Sequence, residues 1–341
     1  MGRSPRLRRL PFWAVVGLLI AALLVPIAGN PAAADEPYRR RVGTQGEVGC
    51  QANPCQVKRL VIDRPGVYEN ILVEGEWGSS TLVKITADNV VLRNCEIRHG
   101  KHNGITVYAK DVVIESCKIH HLLAGSFEQQ HDAHGITGRP IKLTIRNCDI
   151  GLTSGDAIQF DPGRGEWNDV LIEHCTLWTG PLPADAAEFK QGQRPGENAV
   201  DTKQRASQPR SRMTIRDCLM YGWNQPGQID NLAALNLKNH VLVTVENCVL
   251  RDNEIAFRVR GGTGEYGGAH VTIDHCAVYD TDVAVRAEDQ IEQLTIRDLG
   301  IGHGVRRILR VVGGELRAGF ESAGEYTPPP YSTVLESGLP K

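Results

Sequence analysis

The chain has no surplus of charge of either sign. Lys and Arg number 38 against 40 Asp and Glu, a formal net charge of −2 over 341 residues. That balance carries none of the basic footprint of a nucleic-acid partner. Nor is there a long apolar run after residue 34, so nothing in the remaining chain reads as a membrane span and that part is expected to be soluble. Helical periodicity is missing too: the apolar residues alternate instead of recurring every third or fourth position.

What is present begins with an export signal. "MGRSPRLRRL" supplies four arginines and no acid, "PFWAVVGLLIAALLVPIAG" is apolar, and "AAA" at 32–34 precedes Asp35. This is the pattern of a secretory signal peptide over residues 1–34, with a retained single anchor as the alternative. Its removal takes four positive charges and moves the formal net charge from −2 to −6 over 307 residues. The expectation is a secreted monomer without a membrane partner.

Aligned cysteines expose a repeat. "VVLRNCEI", "VVIESCKI", "LTIRNCDI", "VLIEHCTL", "MTIRDCLM", "VTVENCVL" and "VTIDHCAV" put Cys95, Cys117, Cys148, Cys175, Cys218, Cys248 and Cys276 in one frame, and Leu299 continues it. The spacings are 22, 31, 27, 43, 30, 28 and 23, a short coil with loop insertions. Each unit reads as two strands joined at a one-residue corner, where Asn94, Asn147 and Asn247 tolerate left-handed backbone. A further strand precedes them ("NGITVY", "HGITGR", "DAIQFD", "NAVDTK", "AALNLK", "IAFRVR", "VAVRAE"). Three strands per coil without helices predict an all-β, single-domain right-handed parallel β-helix. Its expected bounds are 57–312, after a cap segment at 35–56 and before a tail at 313–341. A leucine-rich repeat is disfavoured, its Leu/Asn consensus being absent. The seven cysteines serve as inward fillers. Cys50 and Cys55, outside the frame in an exported chain, are expected to form a disulfide.

Taking Ile105, Ile136, Ile158, Val200, Leu235, Phe257 and Val285 as inward, alternation sends Thr106, Thr137, Gln159, Asp201, Asn236, Arg258 and Arg286 outward. Two residues on, a second outward column holds Tyr108, Arg139, Asp161, Lys203, Lys238, Arg260 and Glu288. Gly or Ala precedes every inward residue and reads as the floor of a groove. Insertions at 122–132, 161–169, 178–196, 204–211 and 261–269 would build its walls. The bland alternative is a solvated face of paired charges. His120, His121, His131, Asp132 and His134 gather in one stretch whose spacing matches no zinc pattern, and loop packing is their expected role. Trp167, Trp178 and Trp223 lie in or beside the groove loops, where they would stack on sugars or pack inside.

The tandem "TIRNCxI" coils resemble the pectin-lyase-like β-helix superfamily over roughly residues 57–312, and "ENAVDTK" is similar to the acid-plus-lysine segments of its polysaccharide lyases. The resemblance implies β-elimination on an acidic, uronate-containing polysaccharide. Calcium would neutralise the uronate carboxylate while a lysine or arginine removes the C5 proton. Hard oxygen ligands would come from Asp161, Glu197 and Asp201, with Asp156 as a fourth. Lys203 would be the base, its pKa lowered by the cations Lys238, Arg258 and Arg260, and Lys238 could exchange roles with it. Arg258 would also assist the leaving oxygen, while Arg260, Asn236, Arg286 and Trp178 would bind substrate. "GHG" at 302–304 and "SGDAIQ" are similar to pieces of β-helix polygalacturonases, but the paired aspartates those hydrolases need are missing. A non-catalytic carbohydrate-binding or adhesive β-helix and a uronate C5-epimerase stand as alternatives.

Overall fold

A computed structural model describes residues 42–161, 163, 165–225, 229, 232–262, 267–313 and 320–323. The signal segment and the prolines of the tail lie outside them. Thirty strands and no α-helix are found among the described residues, and apart from one small hairpin the ladders are parallel.

The strands stack in three ladders. The first climbs from Leu60–Ile62 through Ile105–Val107, Ile158–Phe160, Asn198–Thr202 and Ala233–Leu237 to Arg307–Val312. The second runs from Gly66–Glu69 to Phe320–Ala323, past residue 312. The third holds the strands that follow each cysteine, from Cys55–Val57 to Gly300–Ile301. Val249–Arg260 and Ala277–Glu288 are long enough to belong to both the third and the first. This is a parallel β-helix with three faces.

Register agrees with the alternation residue by residue. Ile105, Ile136, Ile158, Val200, Leu235, Phe257 and Val285 are successive cross-coil partners, and so are the outward residues from Thr106 to Arg286. Asn94, Asn147 and Asn247 turn the corner with φ of 52°, 52° and 47°. All seven frame cysteines are fully buried free thiols, and Cys95 Sγ donates to the Arg93 carbonyl at 3.1 Å, a contact the later coils repeat. Their sulfurs line one interior edge.

Three expectations change. The small residues do not floor a groove: a Cβ on Gly135 would meet the Ala157 carbonyl at 2.4 Å and Ile150 Cγ2 at 2.6 Å, so this column faces the interior where the third ladder bends into the first. Cys50 and Cys55 are not bridged; Cys50 is half-buried and Cys55 exposed. Residues 42–51 run across the corners as a strap. Gly43 N donates to Asp217 O, Thr44 N to Thr176 Oγ1, Gln45 N to Asn147 Oδ1 and Gly49 N to Ser116 O. Val42 packs with Leu219, Val249, Ala277 and Tyr279. Backbone groups of an aperiodic segment need partners, and the corner residues supply them.

Candidate active site

Asp201 and Lys203 leave the first ladder on the same side because residues two apart in a strand share a face. Asp201, with its side chain only 3% exposed, lies between two ammonium groups: Oδ2 is 3.3 Å from Lys203 Nζ and Oδ1 is 3.1 Å from Lys238 Nζ one coil above. Lys203 Nζ also stands 3.4 Å from Asp161 Oδ2 one coil below. Trp167, wholly buried with its ring 5.4 Å from that of Phe160, donates its indole N–H to the Lys203 carbonyl at 2.9 Å and fixes the strand end. Sequence reasoning offered Trp167 only as a sugar platform or packing residue.

Beneath this surface lies a carboxylate network. Gln159 Nε2 donates to Asp156 Oδ2 at 3.0 Å and to Asp201 Oδ2 at 3.4 Å, and Asn198 Nδ2 donates to Asp156 Oδ1 at 2.6 Å. Buried His134 accepts from the Asp156 N–H at Nδ1, so in its neutral form the proton sits on Nε2, 3.8 Å from Asp132. Burial foremost, then the charges of Asp201 and Glu197, push Asp156 well above the usual carboxylate range. Glu197 is raised by burial, Asp132 and Asp201 in turn. Gln159, Asn198 and His134 had no assigned role in this network; "ENAVDTK" contains the asparagine, but only the coil stacking reveals what it holds.

Lys203 departs from expectation. Burial works to lower its pKa, but Asp201, Asp161 and Asp156 outweigh that and hold it above the ordinary lysine value. The aspartate two residues back on its own strand lies 3.3 Å from Nζ, and Asp161 3.4 Å. Lys203 can accept a proton only when the charges of Asp201 and Asp161 are engaged elsewhere.

The expected metal ligands do not converge. Among the described residues, only Asp274, His275 and Asp298 bring three ligand atoms within 4.8 Å of one another. There each ring nitrogen already faces a carboxylate, at 2.6 and 3.2 Å, which leaves none for a metal. Asp161 turns instead to Lys203 and to the Gly163 N–H. The remaining donors still fit a hard divalent cation in kind. Asp156, Glu197 and Asp201 crowd negative charge, and the buried Oδ1 of Asn236, the cross-coil partner of Asp201, receives no hydrogen bond.

This crowding predicts a pH effect. A carboxyl whose folded pKa is raised costs nothing below its unfolded value, and destabilises progressively as pH rises above it toward the folded pKa. Glu197→Gln should therefore raise the melting temperature of the calcium-free protein at pH 7–8 by ~2–4 °C, equivalent to ~1 kcal/mol, with no gain near pH 4. Thermal melts across pH would show no such divergence if Glu197 were relaxed.

Three coils above Asp201, Glu288 gathers arginines. Arg258 grips it with Nε and Nη2 at 2.9 and 3.0 Å, Arg286 Nε lies at 2.6 Å and Arg260 Nε at 3.3 Å. Burial would raise Glu288, but Arg258, Arg286 and Arg260 hold it below its ordinary value. Asp289 faces Arg260 at 3.4 Å, so three guanidiniums stand against two carboxylates on this part of the face.

The insertions flank the first ladder on both sides. Leu182 and Phe189 of the longest pack on Leu123, Phe127 and Leu152, and Gly196 N donates to Gln130 Oε1. On the other side, Arg210 reaches the Gly268 carbonyl at 2.5 Å and Glu292 at 2.7 Å. Trp178 is not in the groove. It belongs to the third ladder, stacked 6.3 Å from Tyr221 with its N–H on Asp149, because outward from that strand is a different face. Trp223 is buried in the core. The histidines part company: His134 backs Asp156, whereas His120 and His121 join His99 on the third ladder.

The family model described as a right handed beta helix region matches residues 80–180. No curated protein matches the chain. Among solved structures, an alginate lyase from Paenibacillus sp. str. FPU-7 is similar with a TM-score of 0.50 and 14% identity, covering 80% of this chain and 94% of that one. Pectate lyase Pel9A follows at TM-score 0.46 and 12% identity, over 79% and 68% of the two chains. The A-module of the Azotobacter vinelandii mannuronan C-5 epimerase AlgE4 gives 0.39 and 14%, over 84% and 87%. The fold is a right-handed parallel β-helix.

Proposed function

We propose that the chain is an exported, monomeric polysaccharide lyase-like enzyme that acts on an acidic, uronate-containing polymer by β-elimination. The observation that carries this reading is the pairing of Lys203 and Lys238 with Asp201 on one flanked face, followed along the same columns by Arg258, Arg260 and Arg286. Removing a proton next to a carboxylate places negative charge on that carboxylate, which a fixed cation must meet. The alginate lyase likeness supports the scaffold and is silent on these residues.

Neutral Lys203 takes the C5 proton, the C5 electron pair forms the C4–C5 double bond, and the C4–O bond breaks as the leaving oxygen takes a proton from water. Arg258 and Arg260 offer planar forks to neighbouring uronate carboxylates in competition with Glu288. Asn236 and Arg286 lie in the same outward column and bind the chain on either side of Arg258. Asp156, Glu197 and Asp201, drawn together from positions that do not converge in the free chain, would hold calcium, which would neutralise a uronate carboxylate. With Asp201 so engaged, the grip on the Lys203 proton loosens.

The test is a panel of polyuronates (pectate, alginate, glucuronan and glycosaminoglycans) with and without calcium, followed by the ultraviolet absorbance of the unsaturated product. The reading predicts calcium-dependent absorbance on at least one polymer. Deuterium uptake at C5 from heavy water without unsaturated ends would instead make it an epimerase. Polymer retention with neither signal would make it a binder.

A further inference from the structure

On the third ladder, remote in register from Lys203, the coils bring together three imidazoles that the sequence keeps apart. His120 pairs with Arg98 and Leu122 with Gly100 in neighbouring strands, which sets His121 over His99. The ring centroids of His120 and His121 are 4.8 Å apart, those of His99 and His121 5.4 Å, and those of His99 and His120 6.2 Å. We propose that His99, His120 and His121 form a binding site for a borderline transition-metal dication of the zinc class, held in orientation by Glu74 and Glu96.

The hydrogen bonds sort the nitrogens. Glu96 Oε1 lies 3.1 Å from His120 Nε2, and the Glu74 carboxylate lies 2.9 and 3.1 Å from His99 Nδ1. A carboxylate only accepts, so these nitrogens carry protons, and His120 Nδ1 and His99 Nε2 are left with lone pairs. A carboxylate on the far nitrogen of each ligand is how protein sites orient metal-binding histidines. His120 Nδ1 and His121 Nδ1 are 2.6 Å apart, a separation that demands a proton between them and that a metal ion would take over.

The surroundings carry charges of both signs. Arg98 lies between Glu74 and Glu96, at 2.8 and 2.6 Å, so two carboxylates face one guanidinium, with Lys118 farther along the strand. Trp77 covers His99 at 5.0 Å between centroids. The three ligand atoms do not all lie within 4.8 Å of one another, so binding requires the three rings to draw together. Imidazole ligands select zinc, nickel or copper over calcium, which prefers oxygen.

Zinc titrated calorimetrically into the full mature chain tests this, with cobalt as a visible-absorbance probe. One zinc should bind without net proton release, since each ring already has a lone pair to offer, and the binding should be insensitive to excess calcium. His121→Ala should abolish binding, and Glu96→Gln should weaken it by ~10–100-fold, with melts confirming that both variants fold. Lys203→Met should bind zinc as the wild type does. Absence of zinc binding, or wild-type affinity in His121→Ala and His99→Ala, overturns the site and leaves the three rings a packing cluster.

Discussion

If the chain is the proposed lyase, Lys203→Met is expected to lower turnover of its polyuronate by ~10²–10⁴-fold, the contribution of a positioned general base, while the fold survives. The side chain is 30% exposed, and Asp201 keeps Lys238 as a partner, so loss of the ion pairs costs at most ~1 kcal/mol. Lys203→Arg separates base from charge. A guanidinium would still face Asp161 and Asp201 but does not give up its proton. Steady-state kinetics alongside thermal melts decide: turnover near wild type in Lys203→Met removes Lys203 as the base and turns attention to Lys238 or the His131–His134 loop.

Trp167→Ala is expected to cost ~3–5 kcal/mol of stability, the usual range for emptying a buried aromatic site, because the ring is fully enclosed against Phe160. Trp167→Phe keeps most of the packing but leaves the Lys203 carbonyl without its N–H donor, a loss of ~1 kcal/mol. That strand end carries the proposed base, so Trp167→Phe should lower kcat more than it alters KM. Chemical denaturation and kinetics on both variants check this. Wild-type kcat in Trp167→Phe would show that the indole supports the fold alone.

The solenoid was legible because its constraint is periodic. One inward residue per strand had to repeat in every coil, and cysteine marked the frame so clearly that even the cross-coil partners of Asp201 could be read. Aperiodic contacts were not legible. Nothing in "VGTQGEVGC" announces the corners it crosses, and nothing around Trp178 said which of three faces its strand presents. At Lys203 the error was one of weight. Lys238 and the arginines were counted from neighbouring coils, while Asp201 on the same strand lay 3.3 Å away. The glycine and alanine column misled through a local exception, since alternation fails at a bend where two ladders meet.

The strap bears on how the molecule comes apart. Ladder contacts join residues a few dozen apart, so such an array can form coil by coil and fray from either end. Thr44 and Gln45 instead reach partners 132 and 102 residues away. The strap therefore docks fully only after the coils through Tyr279 exist, at a loop-closure cost that the neighbouring-coil contacts do not carry. Once docked, it couples the coils from Ser116 to Asp217 into a unit that must open together. Deleting residues 42–51 should convert one sharp unfolding transition into a broad, stepwise one.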